Sequence, residues 1–473
     1  MNPHALNVLE YRAALDHVAR FASSTLGALA VRELAPSTEL GWIEPELKRV
    51  GEMMTLLIDD DAWGLPAVPD ARAPVARLRI EGSVLEAPML RDLGVLLASS
   101  RSARRSLLAR RDDFARLAEL AERLADLPKE AEAIGRAIDD DGAVLDGASP
   151  ELARLRREIR AIRGRLVERL AAYAQSLPTH YQVPDASVTV REGRYVIPVR
   201  REGRGEVGGI VHGESGSGAT LFIEPPVGIE MMNRLREHEA DEAREVLRIL
   251  RELTDRLRPH QGEIAASLDA LVELDSLLAR ARYARRTGGS IPELLESGTE
   301  EYEVVAGRHP ILLARAERPA EVVPFDLRME RGERTLLISG PNTGGKTVLL
   351  KAAGLISLLA QSGVVPPVEL GTRLPIFRAI FADIGDEQSI EASLSTFSAH
   401  LKNLREALEH ADFESLVLID EIGSGTDPLE GGALARAVLL ELTRRSAFTI
   451  ATTHLGQLKL LATEERGVVN GSL

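Results

Sequence analysis

Between residues 150 and 178 apolar side chains recur every three or four positions, at Leu152, Leu155, Ile159, Ile162, Leu166 and Leu170. That spacing places all six on one stripe of an α-helix, while Arg154, Arg156, Arg157, Arg160, Arg163 and Arg165 cover the rest. The helix begins at Pro150 and stops near Leu177-Pro178. A second seam, through Val246, Ile249, Leu253, Leu257, Ile264, Leu268, Leu271, Leu274 and Leu278, predicts helix from about Pro226 to Arg286. Between these helices the period changes to two. Ser187 to Val199 reads as a strand, a Glu192-Gly193-Arg194 turn and a second strand. Gly208 to His212 and Thr220 to Ile223 supply two more strands around a Gly/Ser turn. The pattern predicts a small β module carried between an outgoing and a returning helix, a lever with a tip; an independent β domain is the other reading.

Upstream, Leu6, Leu9, Ala13 and Val18 predict one amphipathic helix, Trp42 to Leu57 another, and Leu85 to Leu108 a third after a proline-broken loop. The third ends in Arg101, Arg104, Arg105, Arg110 and Arg111, read as a solvated helix face. Asp139, Asp140 and Asp141 precede Gly142 in a spacing that does not fit a calcium loop, so an acidic turn is expected. From about Tyr302 strands and helices alternate, as in an α/β nucleotide domain. The expected division is a helical core at 1–149, an outgoing lever helix at 150–178, a β module at 179–225, returning helices at 226–290 and an α/β domain at 291–473.

At 473 residues, 44% of them hydrophobic, the chain exceeds one ordinary core. It has no cysteine, which excludes disulfides and thiolate metal sites. No secretory leader and no apolar run of 18 or more residues is present, so a soluble cytoplasmic protein without a membrane partner is the default expectation. The net charge of −14 counts against a simple nucleic-acid binder but allows a local basic patch. Arginine dominates the basic residues; codon bias in a GC-rich genome explains that more simply than nucleic-acid contact does.

The chemistry concentrates near the C-terminal end. Gly340-Pro341-Asn342-Thr343-Gly344-Gly345-Lys346-Thr347 fits G-x-x-x-x-G-K-[ST], the phosphate-binding loop, between the apolar run Thr335 to Ile338 and a helix start at Val348. Glycines let consecutive backbone N–H groups turn toward an anion, and the helix adds the positive end of its dipole. Lys346 would reach the β- and γ-phosphates of ATP, and the Thr347 hydroxyl would hold Mg²⁺. Leu416-Val417-Leu418-Ile419-Asp420-Glu421 reads as a buried strand ending in two acids, Asp420 for Mg²⁺ and Glu421 for the attacking water. Phe448 to Thr453 is a strand delivering His454 to its end, where a histidine can sense a γ-phosphate.

These residues resemble the MutS family ATPase, an ABC-type fold. Gly340 to Thr347, Asp420 to Thr426 and Thr452-Thr453-His454 carry the resemblance, with Gly307-Arg308-His309-Pro310 as its lead-in segment. Asp383 to Gln388 and Ser393-Leu394-Ser395-Thr396-Phe397 are similar to its signature region. The resemblance implies two ATPase domains paired head to tail in a homodimer, Ser395 and the loop around Asp427 completing the partner's site. The mismatch-reading and connector domains have no counterpart here. Phe222-Ile223-Glu224 matches the three letters of the mismatch-reading motif, but inside the β module, where chance explains it. The implied relative is the second bacterial MutS branch, whose C-terminal Smr nuclease domain is also absent. The chain stops at Val468 to Leu473, where the family's ATPase fold continues, so a piece of a longer protein is expected.

The implied function is an ATP-hydrolysing dimeric clamp on branched or duplex DNA that suppresses homologous recombination. Arg191, Arg194, Arg200, Arg201 and Arg204 are the candidate nucleic-acid contacts, or else solubilising residues. A ribosome- or rRNA-gripping ATPase acting on stalled ribosomes, and a scaffold whose nucleotide only fixes dimer geometry, are the alternatives.

Overall fold

A computed structural model describes residues 2–340, 345–385 and 393–472, except for the side chains of Pro319 and of residues 393–399. The chain is mainly helical with three sheets, and it divides into two compact units. One unit gathers residues 1–68, 99–125 and 266–473; the other gathers 69–98 and 126–265.

The chain opens with α1 (Pro3–Val8), α2 (Tyr11–Ala19), α3 (Thr25–Arg32) and α4 (Leu40–Asp59). The single amphipathic helix expected over residues 6–18 is broken at Glu10, whose backbone is left-handed at φ 58°. The break has a tertiary cause. Leu9 is fully buried and Glu10 turns to accept from Lys351 Nζ at 2.8 Å. Next come α5 (Arg72–Leu78), α6 (Ala87–Leu108), α7 (Ala115–Glu122) and α8 (Pro128–Ala137). The arginine cluster at the end of α6 is less solvated than expected. Arg104 Nη1 donates to the carbonyls of Ala121, Glu122 and Leu124 at 2.8–3.2 Å, closing the end of α7, and Arg110 pairs with Asp60 at 2.7 Å. Asp139 forms the expected acidic turn, its Oδ1 accepting from the amides of Asp141 and Ala143.

In the second unit, α9 (Pro150–Ser176) buries all six residues of its apolar seam. Ser149 caps it, accepting from the Leu152 amide at 3.0 Å and donating to Glu245 at 2.6 Å. After α9 come β1 (Thr189–Arg191), β2 (Arg194–Arg200), α10 (Arg204–Val207), β3 (Ile210–Glu214), β4 (Thr220–Glu224) and α11 (Pro226–Leu257). The four strands form one antiparallel sheet in the order β1-β2-β4-β3. Contacts between α9 and α11 run in opposite senses: Ser149 meets Glu245, Arg156 meets Glu242 and Arg163 meets Glu239. The two helices are therefore antiparallel, and their inner faces share a core with Ile197, Val199, Leu221 and Ile223 of the sheet. The returning helix is not continuous. Arg258-Pro259-His260 interrupts it before α12 (Gln261–Thr287), since proline cannot donate the backbone bond that the ladder needs.

In the first unit, β5 (Glu293–Leu295), β6 (Tyr302–Gly307), α13 (Pro310–Arg315) and β7 (Phe325–Met329) lead to β8 (Thr335–Ser339) and α14 (Lys346–Gln361). There follow β9 (Arg373–Pro375), β10 (Ala379–Asp383), α15 (Ser393–His410), β11 (Ser415–Ile419), α16 (Pro428–Arg444), β12 (Phe448–Thr453), α17 (Leu461–Glu464) and β13 (Val468–Ser472). A mixed sheet runs β5-β9-β6-β7; the main sheet, parallel throughout, runs β10-β11-β12-β8-β13. Its strands are apolar on both faces because both faces are covered. Leu416 and Leu418 point to one core, Val417 and Ile419 to the other. The first core also takes Leu9, Leu15, Val18, Ala279 and Tyr283, so the N-terminal helices and α12 pack on the same layer as α14.

Polar anchors tie these helices down. Asp275 accepts from the amides of Ser23 and Ser24 at 2.8 Å each and from the Ser24 hydroxyl at 2.6 Å. Arg280, almost wholly buried, donates to Glu46 and to the Gly363 carbonyl at 3.0 Å each. Such a pair is costly to half-remove, because the remaining charge is stranded without water.

Gly354 of α14 lets Leu9 approach. A Cβ there would lie 2.8 Å from Cδ1 of both Leu418 and Leu9. Glycine to alanine in an open helix stabilises by roughly 0.5–1 kcal/mol; here Gly354→Ala is expected to destabilise by about 1–3 kcal/mol through overpacking, measured by urea denaturation.

His309 caps α13, its Nδ1 accepting from the Ile311 and Leu312 amides at 3.2 and 3.5 Å. Burial pushes its pKa down from 6.5 to about 4, with neighbouring Glu10 opposing and Lys351 assisting. The folded chain therefore favours the neutral ring. Its contribution is present above pH 6.5 and is lost as pH falls from 6.5 toward 4, by at most about 1.4 kcal/mol per pH unit. His309→Asn keeps a capping oxygen without the titration, so denaturation midpoints measured across that window are expected to flatten.

Candidate nucleotide site

Three strands of the main sheet end side by side. Thr453 of β12 is the register partner of Ser339 of β8, and Ile419 of β11 is the partner of Ala451 of β12. The segments that follow, beginning at Gly340, Asp420 and His454, therefore leave from one edge. In an open parallel sheet this carboxyl edge is where ligands sit.

Gly340 and Gly345 bracket the glycine-rich loop; Pro341, Asn342, Thr343 and Gly344 lie outside the described residues. Gly345 has φ 79°, a left-handed conformation that suits glycine, and it forms the N-cap of α14 without a side-chain cap. The first amides of this 16-residue helix thus have no side-chain acceptor at the cap. Lys346 is buried and its Nζ donates to the Gly340 carbonyl at 2.6 Å, spanning the loop from end to end.

One residue on, Thr347 Oγ1 donates to Asp420 Oδ2 at 2.5 Å. This contact joins residues 73 apart in the chain, one at the head of α14 and one past the end of β11. The other carboxylate oxygen, Asp420 Oδ1, accepts from the Thr452 hydroxyl. That hydroxyl in turn accepts from the Glu421 amide at 2.7 Å. A hydroxyl has one proton and two lone pairs, so it satisfies both partners at once. The Asp420 amide donates to the Asp383 carbonyl at 2.8 Å.

Glu421 is half-buried and has φ 50°, uncommon for a residue with a Cβ. The amides of Glu421 and Ile422 both bond to Thr452, and the Ser424 amide closes a turn on the Glu421 carbonyl at 3.0 Å. The strained backbone is thereby over-determined. His454 is exposed, one residue past β12. Ser395 lies in the first turn of α15, and its side chain falls outside the described residues. Asp427 caps α16, accepting from the amides of Leu429 and Glu430.

Two contributors escaped the reading of the sequence as site residues. Thr452 was seen only as part of the Thr-Thr-His run, and its partners follow from strand order. Asp383 was seen only in the signature region. It is buried at the end of β10, and its carboxylate holds His400 Nδ1 and Asn403 Nδ2 of α15 at 2.9 Å each. The β-sheet arginines proposed for nucleic acid are mostly occupied. Arg191 lies 4.6 Å over the Phe222 ring, and Arg194 binds Glu224 and Asn233. Arg200 donates to the Gln182 carbonyl, and Arg201 to the Gly218 carbonyl and Glu214. Arg204, on α10, is exposed. Glu224 itself is buried and also bonded to His212, so Phe222-Ile223-Glu224 serves its own sheet.

Residues 336–473, which hold this site, match the family model of MutS domain V. The chain is 54% identical to Endonuclease MutS2 of Gemmatimonas aurantiaca over 476 aligned positions, covering all of this chain and 58% of that protein. It is 42% identical to Endonuclease MutS2 of Geobacillus thermodenitrificans, again over the whole chain and 60% of the relative. The protein of that name from Pelotomaculum thermopropionicum is 43% identical over the whole chain and 59% of its own length. The chain belongs to the MutS family. It falls with the branch without the mismatch-recognition domain, and spans about three fifths of the length of these relatives. Among the described residues of this MutS-family chain, no helix is long and apolar enough to cross a membrane.

The Thr452 hydroxyl is the test of the site's construction. Thr452→Val removes one donor and one acceptor while keeping the shape. The expected cost is about 1–3 kcal/mol, because the Glu421 amide loses its partner; Thr452→Ser should recover most of it in the same thermal unfolding measurement.

Proposed function

We propose that this chain is the nucleotide-driven part of a dimeric DNA-binding ATPase, with ATP and Mg²⁺ as its cofactors. The observation that carries the reading is the Thr347–Asp420 contact, which brings a loop-helix hydroxyl and a strand-end carboxylate to one point beside Lys346. One hydroxyl and one carboxylate fit Mg²⁺, which keeps several waters and takes its other ligands from substrate phosphates. When bound, Mg²⁺ neutralises charge on the phosphoryl oxygens. In this reading Lys346 exchanges the Gly340 carbonyl for a phosphate oxygen, and the α14 amides face the anion. Glu421 orients the attacking water and accepts its proton, and His454 reports the γ-phosphate.

The second chain of a homodimer supplies Ser395 and the loop at Asp427, so the site is complete only when two domains meet. Residues 150–178 and 226–290 then act as arms, residues 179–225 as the tip that grips duplex or branched DNA, and residues 291–473 as the ATPase domain. N-terminal helices within residues 1–149 share the ATPase domain's core, which couples them to any nucleotide-dependent motion of that domain. Suppression of recombination, and a nuclease carried elsewhere in the longer protein, complete the proposal; the relatives' shared name, Endonuclease MutS2, supports the second.

Lys346→Ala is expected to lose ATP binding at least about tenfold, while Glu421→Ala keeps binding and loses hydrolysis by about a hundredfold or more. Labelled-ATP binding, steady-state hydrolysis and light scattering on the full-length protein read these. Glu421→Ala should accumulate as an ATP-bound dimer, and full turnover in Lys346→Ala would remove the assignment.

A further inference from the structure

Some of the arginines of α9 and α11 are held in ion pairs and others are not. Arg154, Arg244 and Arg248 pair with carboxylates of their own helix, Arg156 and Arg163 with Glu242 and Glu239 of the facing helix, and Arg160 with Asp146 in the turn before α9. The Arg156 and Arg163 pairs tie the two helices together, and all six arginines have their charge matched by a nearby carboxylate.

Arg165, Arg169 and Arg234 behave differently. All three are exposed. None has a carboxylate partner among the described residues, and Arg165 donates only to the Ala161 carbonyl of its own helix. They converge. With Ile162, Met231 and Glu230 they line one cleft of about 410 Å³ between α9 and α11. Three guanidinium groups face a single carboxylate there. Elsewhere on this unit, a cleft lined by Arg136, Arg248 and Arg256 has the first two paired with glutamates and only Arg256 without a carboxylate partner among the described residues.

We infer that this cleft is a binding site for the phosphodiester backbone of duplex DNA, and that it, rather than the arginines of the β1–β4 sheet, anchors the chain on nucleic acid. The inference rests on the DNA-binding reading proposed above. Three points carry it. Unpaired guanidinium groups are free to make bidentate bonds to phosphate, whereas Arg194 and Arg201 would first have to give up acidic partners. Arg165 and Arg169 lie one turn apart, about 6 Å along the helix, a spacing that serves successive phosphates of one strand. The cleft contains no aromatic side chain, so it offers nothing for an unstacked base, which favours a duplex backbone over a single strand. Ile162 and Met231 add apolar surface to the lining, of the kind along which arginine stems lie.

The test is a salt titration of the full-length protein on a 30-base-pair duplex, comparing wild type with Arg165→Gln/Arg169→Gln/Arg234→Gln. Each neutralised phosphate contributes about 0.9 to the slope of log affinity against log salt. The triple variant is expected to lose about 2–3 from that slope and to bind at least about tenfold more weakly near 0.1 M salt. The triple lysine variant should recover most of the slope, and Arg154→Gln, which removes a paired arginine on the same helix, should leave it unchanged. ATP hydrolysis without DNA and the thermal midpoint check that the variants fold. A wild-type slope that is steep and unchanged in the triple variant overturns the cleft while the DNA-binding reading stands. A wild type that does not bind duplex overturns both. A larger loss on an RNA duplex or a single strand than on duplex DNA also overturns the assignment.

Discussion

The site hangs on a hydrogen bond from the Thr347 hydroxyl to the Asp420 carboxylate. One group opens a helix and the other ends a strand, and β12 stands between that strand and β8, which feeds the helix. The contact forms only if three parallel strands end close together at one edge of the sheet. Their register provides this, and the Thr452 hydroxyl, supplied by the intervening strand, locks the carboxylate and the Glu421 amide into place. A parallel sheet buried on both faces is rigid enough to hold such an alignment. The glycine-rich loop and the strained Glu421 backbone can then depart from regular geometry without loosening the site.

The same sheet explains why the N-terminal helices lie where they do. A fully apolar sheet face needs a cover as wide as itself. The helix α14 covers part of it, and α1, α2 and α12 cover more. Glu10 and Lys351, Tyr11 and Ser362, and Arg280 with Glu46 and Gly363 add polar anchors around that layer. A change in the position of α14 on binding a nucleotide would be felt directly by these helices, because close-packed interiors transmit strain rather than absorb it.

In the other unit the arginine-rich helices α9 and α11 show how composition misleads. Their positive charge is abundant in the chain but partly spent on carboxylates, of the same helix for Arg154, Arg244 and Arg248 and of the facing helix for Arg156 and Arg163. Exposed pairs of this kind contribute little stability each, on the order of 0–1 kcal/mol. Their larger effect is on what remains available, which is the guanidinium groups that find no carboxylate among the described residues. A sequence with a net charge of −14 can in this way still present a concentrated basic cleft.

Much was legible in the sequence because it depends on local periodicity or on a loop that only certain residues can form. The seams of α9 and α11, the strand-turn-strand of β1 and β2, and the Gly-Gly-Lys-Thr loop between a strand and a helix follow from spacing and from glycine's freedom at positive φ. The partner lists were not legible. The break at Glu10, the interruption at Arg258 to His260, the carbonyl-capping role of Arg104 and the double duty of Thr452 depend on residues tens to hundreds of positions away. Periodicity reports which face of an element is apolar; it does not report which polar group on another element will meet it. The sequence alone singled out Lys346, Thr347, Asp420 and Glu421 as candidates for one site. Only the tertiary structure decided that Thr347 and Asp420 touch, that Thr452 binds them to Glu421, and which arginines are left without a counter-charge, because strand register and helix pairing are set by the packing of the whole chain.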